Sequence, residues 1–197
     1  MKQLTALLSL LVLVNTVNAQ RLQVGVTGSM DLFSIKGDGI KPGFKAGYNA
    51  GLYAQWKIAQ QWKIRTEVLF TQKNIEASGD FKEVFPQASL SSVQSSVLLN
   101  AITIPLLVSR SIGRNWSVLA GPQYMIATDV DEKLLREGKF AFRKYDLSAV
   151  AGVQLQLTSA LSMQGRFTYG LTDMNRISDA RSWKSRSISF GFGWRFL

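Results

Sequence analysis

From Gln20 onward, apolar residues alternate with polar or small ones at a period of two, the pattern of strands whose faces meet different surroundings, and not of helices. The stretch 44–74 shows it most fully. One parity carries Phe44, Ala46, Tyr48, Ala50, Leu52, Ala54 and Trp56, then, after a turn at 59–61, Trp62, Ile64, Thr66, Val68 and Phe70. The other carries Lys45, Gly47, Asn49, Gly51, Tyr53 and Gln55, then Lys63, Arg65, Glu67, Leu69, Thr71 and Lys73. The same alternation predicts strands near 21–29, 44–57, 62–74, 97–110, 115–127, 144–157, 161–171 and 186–197. Long connections (30–43, 75–96, 128–143, 172–185) alternate with short turns (58–61, 111–114, 158–160). An even strand count with that alternation predicts an all-β fold, an eight-stranded antiparallel up-and-down transmembrane β-barrel.

Aromatic spacing gives a second sign. Tyr48 and Trp56, Trp62 and Phe70, and Trp116 and Tyr124 are each eight residues apart on the apolar parity. Eight residues at about 3.3 Å, tilted by about 40°, cover roughly 20 Å along a membrane normal, close to the ~25 Å apolar band between aromatic girdles. Trp56, Trp62, Trp116 and Trp194 lie beside short turns or the last residues and form one expected girdle. Tyr48, Phe70, Tyr124, Tyr145 and Tyr169 form the other.

Alternation alone also fits a soluble periplasmic ligand-binding barrel, in which the apolar parity faces a core. Three features favour the membrane. The other parity is rich in glycine (Gly25, Gly47, Gly51, Gly121, Gly152, Gly170, Gly191, Gly193), which weakens a water-facing strand and suits a crowded lumen. Most segments are ten to fourteen residues, beyond the usual five or six of soluble strands. The last strand sets Ile188, Phe190, Phe192, Trp194 and Phe196 on one parity, an edge that closure against Leu22, Val24 and Val26 removes.

Residues 1–19 read as a signal peptide: Lys2, an apolar run from Leu4 to Val14, and small residues ending at Ala19. That run is shorter than the ~20 residues of a spanning helix, which argues against an uncleaved anchor. The expected organisation is therefore a signal peptide (1–19) and one outer-membrane barrel domain (20–197), located in the outer membrane.

The formal charge of +10 raises nucleic acid as a partner, but the basic residues are scattered, with no Lys/Arg run, zinc-finger spacing or RNP-like motif. Cysteine and histidine are both absent. Histidine-dependent serine or aspartate mechanisms are excluded on that count, no metal-ligand cluster or phosphate loop replaces them, and no spacing singles out a Ser-Lys pair. No enzyme activity and no cofactor are expected.

The first strand with Gly25 and Gly28 leads into Lys41-Pro42-Gly43-Phe44, Arg65 to Lys73 (RTEVLFTQK), Ile104-Pro105-Leu106-Leu107, Ala120-Gly121-Pro122 and Tyr169-Gly170-Leu171-Thr172. In order and spacing this set resembles the PorT-like outer-membrane β-barrel proteins of Bacteroidetes, small barrels of the OmpA/OmpX kind, over nearly all of 20–197. The resemblance implies an eight-stranded barrel and a Gram-negative source. One branch of that family serves type IX secretion, a role these motifs do not carry over.

With the apolar parity outward, Lys45, Arg65, Glu67, Lys73, Asp146 and Arg166 point into the lumen. An eight-stranded barrel is just wide enough for side chains to fill, so these charges are expected to pair, with Glu67 beside Arg65 or Arg166, in a structural cluster. The competing reading is a narrow polar pore. Asp31 and Lys36 fall in a predicted long connection, and Arg21, Lys57, Lys63, Arg110, Arg114 and Arg195 make the short-turn end basic. Arg176, Arg181, Lys184 and Arg186 beside Trp183 are candidates for lipopolysaccharide phosphates. The expected protein is a structural or surface-recognition barrel acting through its long loops, with a small pore or an accessory barrel of a secretion system as alternatives. Its expected partners are outer-membrane lipid, lipopolysaccharide and the barrel-assembly machinery, with a monomeric state and no nucleic acid.

Overall fold

The computed structural model describes residues 22–36, 43–76, 96–130, 145–172 and 184–196. The predicted signal peptide, Arg21, and most of the four long connections lie outside the described residues. Eight strands are formed: β1 (Leu22–Lys36), β2 (Lys45–Lys57), β3 (Trp62–Glu76), β4 (Ser96–Ser111), β5 (Trp116–Val130), β6 (Tyr145–Gln156), β7 (Leu161–Gly170) and β8 (Lys184–Arg195). Each pairs antiparallel with its neighbours in sequence, and β1 pairs with β8 to close the barrel. The closing ladder runs from Gly25–Arg195 to Lys36–Lys184, and Phe196 N donates to Val24 O at 2.8 Å, so neither end strand keeps a free edge.

The three short turns share one closure. Ile58 N donates to Trp62 O (3.0 Å), Ile112 N to Trp116 O (3.0 Å), and Leu157 N to Leu161 O (2.9 Å). In the third, Thr158 Oγ1 accepts from Leu161 N at 3.0 Å, a hydroxyl turn that fixes the bend. Adjacent turns are tied in stagger by Ser111 N to Gln61 O and Gln156 N to Asn115 O.

The outer wall is apolar and the interior polar, the reverse of a water-soluble protein. Phe190 is 64% exposed and Leu52 58%, whereas Arg65 and Glu67 are each 1% exposed. A wall of that composition is stable against hydrocarbon and not against water, which removes the soluble-barrel reading. Glycines of the inner parity let the strands and their contents fit. A Cβ on Gly51 would collide with the carbonyl oxygen of Val68, and one on Gly121 with that of Leu106, both backbone atoms that cannot swing aside. A small apolar patch, Leu107, Leu119 and Val150, lies in the lumen on the β4–β6 side.

One boundary differs from the expectation in a way that bears on the site. β1 continues to Lys36 instead of ending near 29, and Asp31 is therefore a buried lumen residue, not a loop residue. Lys36, likewise assigned to a connection from sequence, pairs with Lys184 in the β1–β8 ladder. The pattern was hidden because Phe33 places an aromatic ring on the inner parity while Ser34 takes the outer one.

Candidate functional site

The residues that carry chemistry converge inside the barrel. Glu67 on β3 is held by two guanidinium groups: Arg65 Nε from the same strand, and Arg166 from β7, four strands away across the lumen. Arg166 reaches with both terminal nitrogens, Nη1 donating to Glu67 Oε2 at 2.8 Å and Nη2 to Oε1. This fork geometry is the strongest form of carboxylate pairing and braces opposite walls. Two carboxamides extend the network: Arg65 Nη1 donates to Gln154 Oε1 (3.3 Å) and Arg166 Nη2 to Gln164 Oε1 (2.8 Å). Gln164 in turn donates to Thr27 Oγ1, carrying the brace to β1. The Arg65 guanidinium lies 3.9 Å from the centre of the Tyr53 ring.

A second cluster sits toward the long connections. Lys73 Nζ lies 3.9 Å from Asp31 Oδ2 and 4.1 Å from the centre of the Phe33 ring. Asp146 accepts from Ser148 Oγ (2.8 Å), from Thr172 Oγ1, and more distantly from Ser185 Oγ (3.4 Å). Between the clusters, the Thr71 hydroxyl is 2.8 Å from both Asn49 Oδ1 and Thr103 Oγ1. A cavity of about 20 Å³, room for one water, is lined by Asp31, Lys73, Thr71 and Arg166.

Of the six lumen charges expected from sequence, Arg65, Glu67 and Arg166 are brought together. Lys73 and Asp146 belong to the second cluster, and Lys45 is half-buried near the start of β2, apart from the Glu67 group. Sequence reasoning missed Asp31, Tyr53 as the ring over Arg65, and the bridging Gln154 and Gln164. Inner parity alone marked the last three; nothing in the sequence marked which inner residues would meet across the barrel.

The nine girdle candidates all lie on the outer wall and all are exposed. Trp56, Trp62, Trp116 and Trp194 ring the short-turn end, with Arg110 over Trp62 at 5.3 Å. Toward the long connections, Tyr124 stacks on Tyr145 (5.9 Å), Tyr48 meets Phe70 (6.3 Å), and Arg186 lies 5.8 Å over Tyr169. Of the four basic residues picked as lipopolysaccharide contacts, Lys184 donates to Leu171 O at 2.8 Å and Arg186 is exposed; Arg176, Arg181 and Trp183 lie outside the described residues.

A closed eight-stranded barrel with an apolar wall and a charged, packed interior defines a small integral barrel of the outer membrane. The chain belongs to the outer membrane protein beta-barrel domain family, whose model matches residues 17–176. Among solved structures it is similar to Ail, the attachment invasion locus protein of Yersinia pestis, with 14% identity over 89% of this chain and 99% of that one and a TM-score of 0.51. It is also similar to Neisserial surface protein A, at 11% identity over 88% and 97% with a TM-score of 0.56. The outer membrane protein AlkL matches at 12% identity over 88% and 90%, with a TM-score of 0.50. These likenesses are of fold. No curated protein matches the chain in sequence.

Proposed function

We propose that this chain is a non-enzymatic outer-membrane barrel of the PorT-like group from Bacteroidetes, exported by cleavage after Ala19, whose sealed body presents the long connections for surface recognition. The observation that carries this reading is the Glu67 brace, which links β3 to β7 across the lumen and leaves structural charges in place of a channel. The two aromatic belts serve as interface anchors, the tryptophans toward the periplasm and the tyrosines outward, and the barrel-assembly machinery inserts the protein as a monomer. Lipopolysaccharide meets the outer rim, where Arg186 lies over Tyr169. No nucleic acid and no cofactor enter this account.

Two experiments test it. In planar bilayers the reconstituted protein gives no unit conductance; regular conductance steps would replace the sealed scaffold by a pore. The chain contains no cysteine, so single cysteines report cleanly on orientation. On intact cells a membrane-impermeant maleimide labels Lys133→Cys in the third long connection and not Ser159→Cys in a short turn. The opposite labelling would invert the barrel and with it the recognition role.

A further inference from the structure

The barrel is electrically lopsided along its axis. Among the described residues the short-turn end holds Lys57, Lys63, Arg110, Arg114 and Arg195 and no carboxylate, while Asp31 and Asp146 lie toward the long connections. Lys57, Lys63 and Arg195 share the lumen-facing parity at the mouth. Lys57 and Lys63 are direct cross-strand partners, an arrangement of like charges that works against the β2–β3 ladder. Arg195 is within electrostatic reach of Lys63, and neither lysine nor Arg195 has an ion-pair partner among the described residues.

One layer deeper, the Glu67 group is also short of negative charge. Two guanidiniums face one carboxylate, and Arg65 Nη2 and Arg166 Nε are buried without any hydrogen-bond acceptor. Arg65 Nη2 lies beside Gly193, where Tyr53 and Ser162 also converge, in the turn-side half of the lumen. A buried donor on a charged group is costly to leave unpaired, and an oxyanion supplies both the acceptor and the missing charge.

We propose that the short-turn mouth of the lumen is an oxyanion-binding site, with Lys57, Lys63 and Arg195 as its rim and Arg65 as its floor, for the phosphate group of a small soluble ligand. The rim side chains belong to the inner parity, whereas bilayer headgroups surround the outer wall, where Arg110 is presented instead. That placement favours a soluble phosphate over a lipid one. The inference rests on the closed barrel and not on the recognition role of the long connections.

Calorimetric titration of inorganic phosphate into the protein folded in uncharged detergent tests it. Wild type binds, the Lys57→Gln/Lys63→Gln pair loses about tenfold or more in affinity, corresponding to the loss of two charge-assisted contacts, and Arg195→Gln weakens binding as well. Arg110→Gln stays within about twofold of wild type, since that side chain stands on the outer wall over Trp62. Because removal of opposed lysines relieves repulsion, the variants remain folded, as the heat-dependent gel shift verifies. In phosphatidylcholine vesicles with and without phosphatidylglycerol, phosphate binding is retained in both. Loss only with phosphatidylglycerol would overturn the soluble assignment in favour of a headgroup. Absence of binding to wild type, or equal weakening by Arg110→Gln, would overturn the site.

Discussion

The two ends of the lumen use charge in opposite ways. Toward the long connections, Lys73 faces Asp31, and Asp146 is ringed by the hydroxyls of Ser148, Thr172 and Ser185, so its charges have partners on three or more strands. At the short-turn mouth, Lys57 and Lys63 face each other and no carboxylate answers them among the described residues. Between them stands the Glu67 brace, paired across the barrel yet one negative charge short. Compensated buried charge holds a structure together only as long as every member is present; uncompensated charge near an opening is held at some expense in stability and is free to meet a ligand.

The largest effect is expected at the brace. Glu67→Gln leaves two buried guanidiniums uncompensated without creating a cavity, and should lower unfolding stability by about 3–5 kcal/mol in urea titrations of the folded barrel. A loss under about 1 kcal/mol would show that the two halves of the lumen are not joined through this residue. Next, a charge moved from lumen to wall should be unwelcome wherever it lands in the apolar band. Phe190→Arg is expected to cost about 2–4 kcal/mol, falling toward zero only if that position lies at an interface. At the paired end, Asp146→Asn weakens the acceptor shared by three hydroxyls and removes a negative charge near Lys73, with an expected loss of about 1–3 kcal/mol. The smallest change has the opposite sign. Lys63→Gln should stabilise the phosphate-free barrel by about 0.2–1 kcal/mol by ending the direct opposition to Lys57. If it destabilises instead, the lysine has a partner and the mouth is a paired site like the other end.

The architecture was legible from the period of two, because a barrel wall that meets hydrocarbon on one side and a packed lumen on the other imposes that alternation on every strand. Strand number, the turn–connection rhythm, and the outward placement of Trp56, Trp62, Trp116, Tyr124 and Trp194 follow directly from it. Parity also puts Arg65, Glu67 and Arg166 inside. It does not reveal which inner residues meet, because that depends on the stagger of the closed sheet and on side-chain reach across it. Glu67 and Arg166 are 99 residues apart and touch because β3 and β7 stand opposite each other. Asp31 was misplaced for a different reason: Phe33 on the inner parity breaks the apolar–polar rule where an aromatic ring is needed under Lys73, so the strand looks finished too early. The basic mouth was visible as a charge excess near the short turns, but the direct opposition of Lys57 and Lys63 and the unpaired Arg65 Nη2 are properties of register and packing.

The central claim is that the apolar face is the outer wall of a closed barrel in the outer membrane. Fractionation of cells expressing the full chain, followed by gel electrophoresis of the outer-membrane fraction with and without boiling, tests it directly. The account predicts a membrane-bound protein that migrates differently before and after heating, since a barrel closed by the β1–β8 ladder resists detergent until heated. A soluble product with a single, heat-independent mobility would contradict it.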